Sequence, residues 1–288
     1  MRKRNSIKYL VVFLLFLMAI CLLAYPYIAN YVFEHRADSV IDAVEKSTDA
    51  IPDEEKEAAI QEAREYNAYI ANGTVKLTDP FTADQSYDGV DEYESLLRSS
   101  DDGVMGYVEI PVIDVSLPIY HGTSEEVLQK GVGHLQGTSL PVGGESTHTV
   151  LTGHTGLSHA KLFTDLAEVK EGDIFFLYVM GEKLAYQVDQ IEVVLPSELD
   201  NLYVEQGKDL CTLVTCTPYG VNSHRLLVRG VRTDYQEAVD NPDTYQSEDV
   251  ESKWMAEYKR ALLISIGCFA GGLVIATIIL CIRARGKS

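Results

Sequence analysis

The chain has 288 residues, room for one large domain or two modest ones, and its 46% hydrophobic content supplies a sizeable core, which excludes bulk disorder. It carries 43 acidic against 24 basic residues, a formal net charge of −19, and seven of the basic ones (Arg2, Lys3, Arg4, Lys8, Arg283, Arg285 and Lys287) sit in the two tails. What lies between the tails would repel phosphates, so nucleic acid is excluded as a partner.

In chain order, residues 1–8 are a basic tail and 9–28 are an uncharged run long enough to cross a hydrocarbon core of about 30 Å as a helix. No A-x-A-like site follows that run, so it reads as an uncleaved anchor. Residues 29–73 read as a membrane-proximal helical region, ADSVIDAVEKS and DEEKEAAIQEAREYNAYIAN, broken at Ile51-Pro52 and stopped by Gly73. Residues 74–95 are polar and Tyr-rich, a loop with a short helix at its end. From 96 to 232 short runs rich in Val, Ile, Leu and Tyr alternate with Gly, Pro and Asp: GYVEIPVIDVSLPIYHG, HTVLTGH, DIFFLYVMGEKLAYQVDQIEVVLP, DLCTLVTCTPYG and HRLLVRGVR. Such runs predict an antiparallel β-barrel or sandwich, with VMGEKLAY as a hairpin turning at Gly181-Glu182. Residues 233–260 form an acidic linker, 261–282 a second uncharged membrane-length run, and 283–288 a basic tail. The basic flanks put both termini in the cytoplasm and 29–260 outside the membrane.

Cys21, Cys268 and Cys281 fall in the apolar runs, leaving Cys211 and Cys216 in the outer domain. Five residues apart on one strand, these two would sit about 16 Å apart on opposite faces, too far for a disulfide. Cys211 reads as core. No CxxC, HxxxH or HExxH is present, so no metal site is expected. The acidic run Asp88, Asp91, Glu92, Glu94 lacks a calcium-loop pattern and reads as a solvated face. Gly267 and Gly271 have a helix-packing spacing that also arises by chance.

The chemistry concentrates in TLVTC, where alternation puts Thr212, Val214 and Cys216 on one face of a strand. Pro218, Gly220 and Asn222 supply a turn, so Cys216 ends one strand and Arg225 starts the next, facing it. A guanidinium there lowers a thiol's pKa and steadies an oxyanion, as an acyl-transfer nucleophile needs. His154 leaves the strand HTVLT through LTGHTG, placed to act as general acid and then base. His224 points to the opposite face from Arg225, and Arg229 sits about 13 Å further along the strand, so both are weaker candidates.

These residues resemble the sortases: TLVTC matches T-L-x-T-C, with the His in TGH and the Arg on the following strand. The similarity runs from about Thr74 to Arg232 and is nearest to class C, the pilin-polymerising sortases of Gram-positive cell surfaces. It implies a mainly β fold, a closed eight-stranded barrel with an N-terminal helical extension and two transmembrane helices. It implies a cysteine transpeptidase without cofactor. Cys216 would attack the Thr–Gly bond of an LPXTG-type signal, His154 would serve the amines, and Arg225 would hold substrate and oxyanion. Partners would be LPXTG-type pilin or surface-protein substrates at the cell membrane. The resemblance also implies a lid, Asp79-Pro80-Phe81, with the Asp near Arg225 and the ring over Cys216. Taken as exposed, that ion pair would contribute only about 1 kcal/mol. Three alternatives stay open: a sortase anchoring proteins to peptidoglycan, a thiol protease whose acyl group goes to water, and a non-catalytic membrane-bound β-barrel sensor or adhesion module.

Overall fold

The computed structural model describes residues 2–73, 75–82, 93–98, 103–157, 159–240 and 253–285. Asp88, Asp91 and Glu92 of the acidic run lie outside the described residues, as do parts of the 74–95 segment and of the acidic linker. Phe33–Val250 make one compact unit and the two terminal stretches make another.

Two helices open the chain, α1 (Arg2–Ala50) and α2 (Asp53–Asn72). Pro52 separates them, because it has no N–H to continue the α1 ladder. Asp53, Glu54 and Glu55 then place negative charge at the N-terminal end of α2, where the helix dipole favours it. The buried stripe of α2, Ile60, Ala63, Asn67 and Ile70, follows helical spacing. Asn67 is satisfied in that position: its amide donates to the Leu140 carbonyl at 3.1 Å, and the Leu140 N–H donates back at 2.7 Å.

Eight strands follow: β1 (Val104–Ile110), β2 (Val115–His121), then after the one-turn helix α3 (Glu125–Leu128) β3 (Val132–His134) and β4 (Thr147–Thr152). The rest are β5 (Ile174–Val179), β6 (Glu182–Val194), β7 (Asp209–Thr217) and β8 (His224–Thr233). They close a barrel in the order β1-β2-β3-β4-β7-β8-β6-β5. Val108, Ile119, Leu151, Leu177, Leu213 and Val228, from six different strands, are fully buried in its core.

The barrel is not purely antiparallel, which corrects the sequence expectation: β2 pairs with β3, and β4 with β7, in parallel. Parallel neighbours need a crossover connection. Segment α3 provides one between β2 and β3, while β5 and β6 intervene in sequence between β4 and β7. Strand β3, three residues long, is too short to carry a periodic signal. The β5–β6 turn is Met180-Gly181, at φ 50° and 84°, one residue earlier than the Gly-Glu reading. A two-residue hairpin turn of this kind needs positive φ at both positions. Within the acidic linker a short helix, α4 (Tyr235–Asp240), buries Ala238 against Ile174 and Phe176.

The terminal unit contains the first part of α1 and helix α5 (Lys253–Arg285). Among the described residues one helix is long and apolar enough to cross a membrane, the stretch Val11–Ala50 of α1. Its side chains Val12 and Leu22 are exposed. Among the described residues, Gly267 and Gly271 of α5 have nothing within 4 Å of where a Cβ would stand.

Candidate active site

Strands β4, β7 and β8 lie side by side, and their register aligns the outer face in rows. Cys216 is the direct partner of Arg225, and Val214 of Leu227. Thr152 stands opposite Val214 on the parallel strand β4, so His154 and Cys216 each follow two residues later. Cys216 and Arg225 thus share one row and Thr152, Val214 and Leu227 the next, while His154 stands two residues past the end of β4, level with Cys216 by residue count. Cys211 faces the other way, fully buried in the barrel core beside Leu213. Both cysteines are free thiols.

Both threonines of TLVTC tie β7 to β4. The Thr212 hydroxyl meets His148 Nε2 at 2.7 Å, and His148 Nδ1 lies 2.9 Å from the Tyr203 carbonyl. The carbonyl can only accept, so Nδ1 carries the proton and Nε2 accepts from Thr212. Burial pushes this histidine down to about 4. On the interior face, the Thr215 hydroxyl donates to the Gly153 carbonyl at 2.7 Å. That fixes the residue just before His154. Position 153 must be glycine for another reason: a Cβ there would stand 2.7 Å from the Phe163 ring.

The 75–82 segment lies over this outer face. Leu77 packs with Val150, Val214, Leu202 and Leu227, and Phe81 packs against the same cluster. The Leu77 N–H donates to the Tyr203 hydroxyl at 3.3 Å. Asp79 grips Arg225 with both carboxylate oxygens, accepting from Nε at 2.8 Å and from Nη2 at 2.7 Å. The remaining Arg225 nitrogen, Nη1, donates to the Asn222 and His224 carbonyls at 3.1 and 3.0 Å. The side chains of Arg225 and Asp79 are only 9% and 7% exposed, so this is a buried, bidentate pair rather than the exposed one expected. The Phe81 ring stands 4.9 Å from the Arg225 guanidinium carbon and 5.6 Å from the His154 ring, bridging the residues that flank Cys216. Pro80 is buried between them in sequence.

Cys216 is 8% exposed. Burial pushes its thiol pKa up, Arg225 pulls it down, and Asp79 adds to the rise; the net direction is upward. From sequence only the guanidinium's downward pull is visible. Glu125 carries no sequence signal: its Oε2 lies 3.3 Å from His154 Nε2 and its other oxygen accepts from Gln129 at 2.6 Å. No motif marks Glu125, because its role comes from α3 passing the end of β4. The two weaker candidates stand elsewhere. Arg229 is held by Asp189 at 2.7 and 3.0 Å and by Glu205 at 2.9 Å, two rows from Cys216. His224 pairs with Thr217 across the ladder and meets the Ser223 hydroxyl at 2.9 Å. Among the described residues no group of His, Cys, Asp and Glu is arranged to hold a metal ion.

A free thiol paired with a guanidinium across two neighbouring strands of a closed eight-stranded barrel fits the sortase class of transpeptidases, and the comparisons agree on that family. The Sortase domain family matches residues 108–233. Sortase C of Streptococcus pneumoniae is 46% identical, superposes with a TM-score of 0.62, and the match covers 68% of this chain and 97% of that one. Sortase C1 of Streptococcus agalactiae is 51% identical at a TM-score of 0.63, covering 68% and 98%. Sortase A of Bacillus anthracis is 26% identical over 227 residues, 79% of this chain and 95% of the relative. The chain belongs to the sortase family, and class C members are among its close structural neighbours.

Proposed function

We propose that this protein is a membrane-anchored class C-type cysteine transpeptidase that joins pilin subunits. The observation that carries the proposal is the register that pairs Cys216 with Arg225 and sets His154 level with Cys216 by residue count. Cys216 as thiolate attacks the carbonyl of the Thr–Gly bond in an LPXTG-type sorting signal. A C–S bond forms, and the tetrahedral oxyanion is held by the guanidinium of Arg225 once Asp79 has released it. The C–N bond then breaks, and His154 gives its proton to the leaving glycine amine. An incoming amine, a lysine side chain of a second pilin, loses a proton to His154 and attacks the thioester. The thiolate leaves and an isopeptide bond remains. The chain's own residues supply every group in these steps, with no cofactor.

Sortase C of Streptococcus pneumoniae, a neighbour at 46% identity, has a structure that bears on pilin substrate specificity, and this supports a pilin rather than peptidoglycan as acceptor. The apolar α1 supports anchoring, and the uncharged run 261–282 supports a second span, with the catalytic unit outside and both termini inside. The test is turnover by the full chain in detergent of a panel of sorting peptides, with lysine-bearing pilin or peptidoglycan-stem amine as acceptor. Isopeptide product with the pilin acceptor is expected. Preference for the stem amine would move the protein to wall anchoring, and transfer to water alone would make it a protease. No turnover, with sluggish Cys216, would leave a sensor or adhesion module.

A further inference from the structure

Thr152 is a buried residue at the end of β4 whose hydroxyl has no hydrogen-bond partner among the described residues. Its place in the fold says where that hydroxyl looks. Val150, two residues earlier, belongs to the outer-face cluster with Val214 and Leu227, whereas Leu151 belongs to the barrel core. Alternation along the strand therefore puts Thr152 on the outer face. It stands opposite Val214, one row from Cys216, about 7 Å away along the strand direction. The other hydroxyls of this neighbourhood are spoken for: Thr212 by His148 and Thr215 by the Gly153 carbonyl. A buried hydroxyl left unpaired is disfavoured, and folded proteins tend to leave few without a reason.

We propose that Thr152 is a substrate-binding residue whose hydroxyl pairs with a polar group of the sorting peptide, a backbone amide or hydroxyl within about two residues of the scissile carbonyl. The inference rests on the sortase activity proposed above, and it adds a specificity contact to it. With the 75–82 segment in place, apolar Leu77 and Phe81 cover the cluster and offer the hydroxyl nothing. A peptide entering the same face brings backbone groups that do. The covered state thus carries a penalty that the peptide complex lacks, which biases exchange toward substrate.

The experiment compares Thr152→Val, which keeps the shape and removes the hydroxyl, with Thr152→Ser, which keeps the hydroxyl. Both are placed in a full-length Asp79→Ala/Phe81→Ala background in detergent, so that closure of the segment does not set the KM. Thr152→Val is expected to raise the KM for the sorting peptide about 5- to 10-fold, the range for one neutral hydrogen bond, with kcat little changed. Its melting temperature should match or exceed that of the parent, since no internal bond is lost. Thr152→Ser should keep the parent's KM. An unchanged KM in Thr152→Val, or a lowered melting temperature showing that the hydroxyl is bonded internally, overturns the proposal. Absence of turnover in the wild-type chain with every peptide overturns the transpeptidase assignment, and this inference with it.

Discussion

Cys211 and Cys216 sit five residues apart on one strand and are buried in two different ways. Cys211 is sealed by the barrel's own core, and burial drives its thiol pKa well above the usual value. Cys216 lies on the outer face, where Asp79 and Phe81 of the 75–82 segment, outside the barrel ladder, engage Arg225 and His154, and it faces a guanidinium that pulls its pKa back down. The first burial is permanent as long as the barrel is folded. On the proposal that this segment is a lid, the second lasts only while Asp79 holds Arg225. A thiol can therefore be protected from solvent and still be kept for chemistry, provided that its cover is separable from the fold.

The largest expected contrast follows from that difference. Cys216→Ala should abolish transpeptidation, while Cys211→Ala should leave most of it and cost only stability. Comparable loss of turnover in both variants, with intact folds, would break the contrast. Next in size are the flanking residues. His154→Ala and Arg225→Ala should each lower kcat/KM by at least about 10²-fold, the low end for a positioned acid–base or oxyanion group. Arg225→Lys should not restore the rate, because an ammonium cannot replace the planar fork that Asp79 now occupies. Near-full activity with lysine would show that charge alone suffices.

The cover itself gives a smaller effect. Removing one partner of a buried ion pair costs about 3–5 kcal/mol, against about 1 kcal/mol for an exposed one. Asp79→Ala should therefore speed alkylation of Cys216 by a small reagent at least about 10-fold, both by freeing the segment and by removing a charge that raises the thiol's pKa. Phe81→Ala should add to this through the lost contact with the guanidinium. The alkylation rate of Cys211 should stay unchanged. Equal Cys216 rates in wild type and Asp79→Ala would mean that the segment is no gate.

The smallest effect separates structural from site histidines. Burial holds His134 at about 3 and His148 at about 4, so both are neutral in the fold at neutral pH. The unfolded chain binds more protons, so their contribution is present above the ordinary value of about 6.5 and is lost as pH falls toward 4 and then 3. Each should cost about 2 kcal/mol of stability between pH 6.5 and 5. Urea midpoints at the two pH values would measure it, and no drop would contradict their neutral, buried state.

Much of the site is legible in the sequence because it is written in strand alternation. TLVTC followed nine residues later by Arg225 places the thiol and guanidinium on one face, and a two-strand register then makes them partners. His154 is found because a strand ends in a glycine-flanked turn. The parallel pairings escape, because they join segments far apart in sequence and no local pattern carries direction. Glu125, on α3, and Tyr203 escape for the same reason: each meets a partner far away in sequence. The depth of the Asp79–Arg225 pair also escapes, since a polar stretch reads as exposed until Leu77 and Phe81 are seen to anchor it over apolar side chains.

The central claim, that Cys216 takes the acyl group and Cys211 does not, is tested most directly by intact-protein and peptide mass spectrometry of the full chain mixed with a sorting peptide and no amine acceptor. The expected result is a thioester adduct, carrying the peptide up to its threonine, mapped to Cys216 and discharged when a lysine-bearing acceptor is added. An adduct on Cys211, or peptide cleavage with Cys216 replaced by alanine, would contradict it.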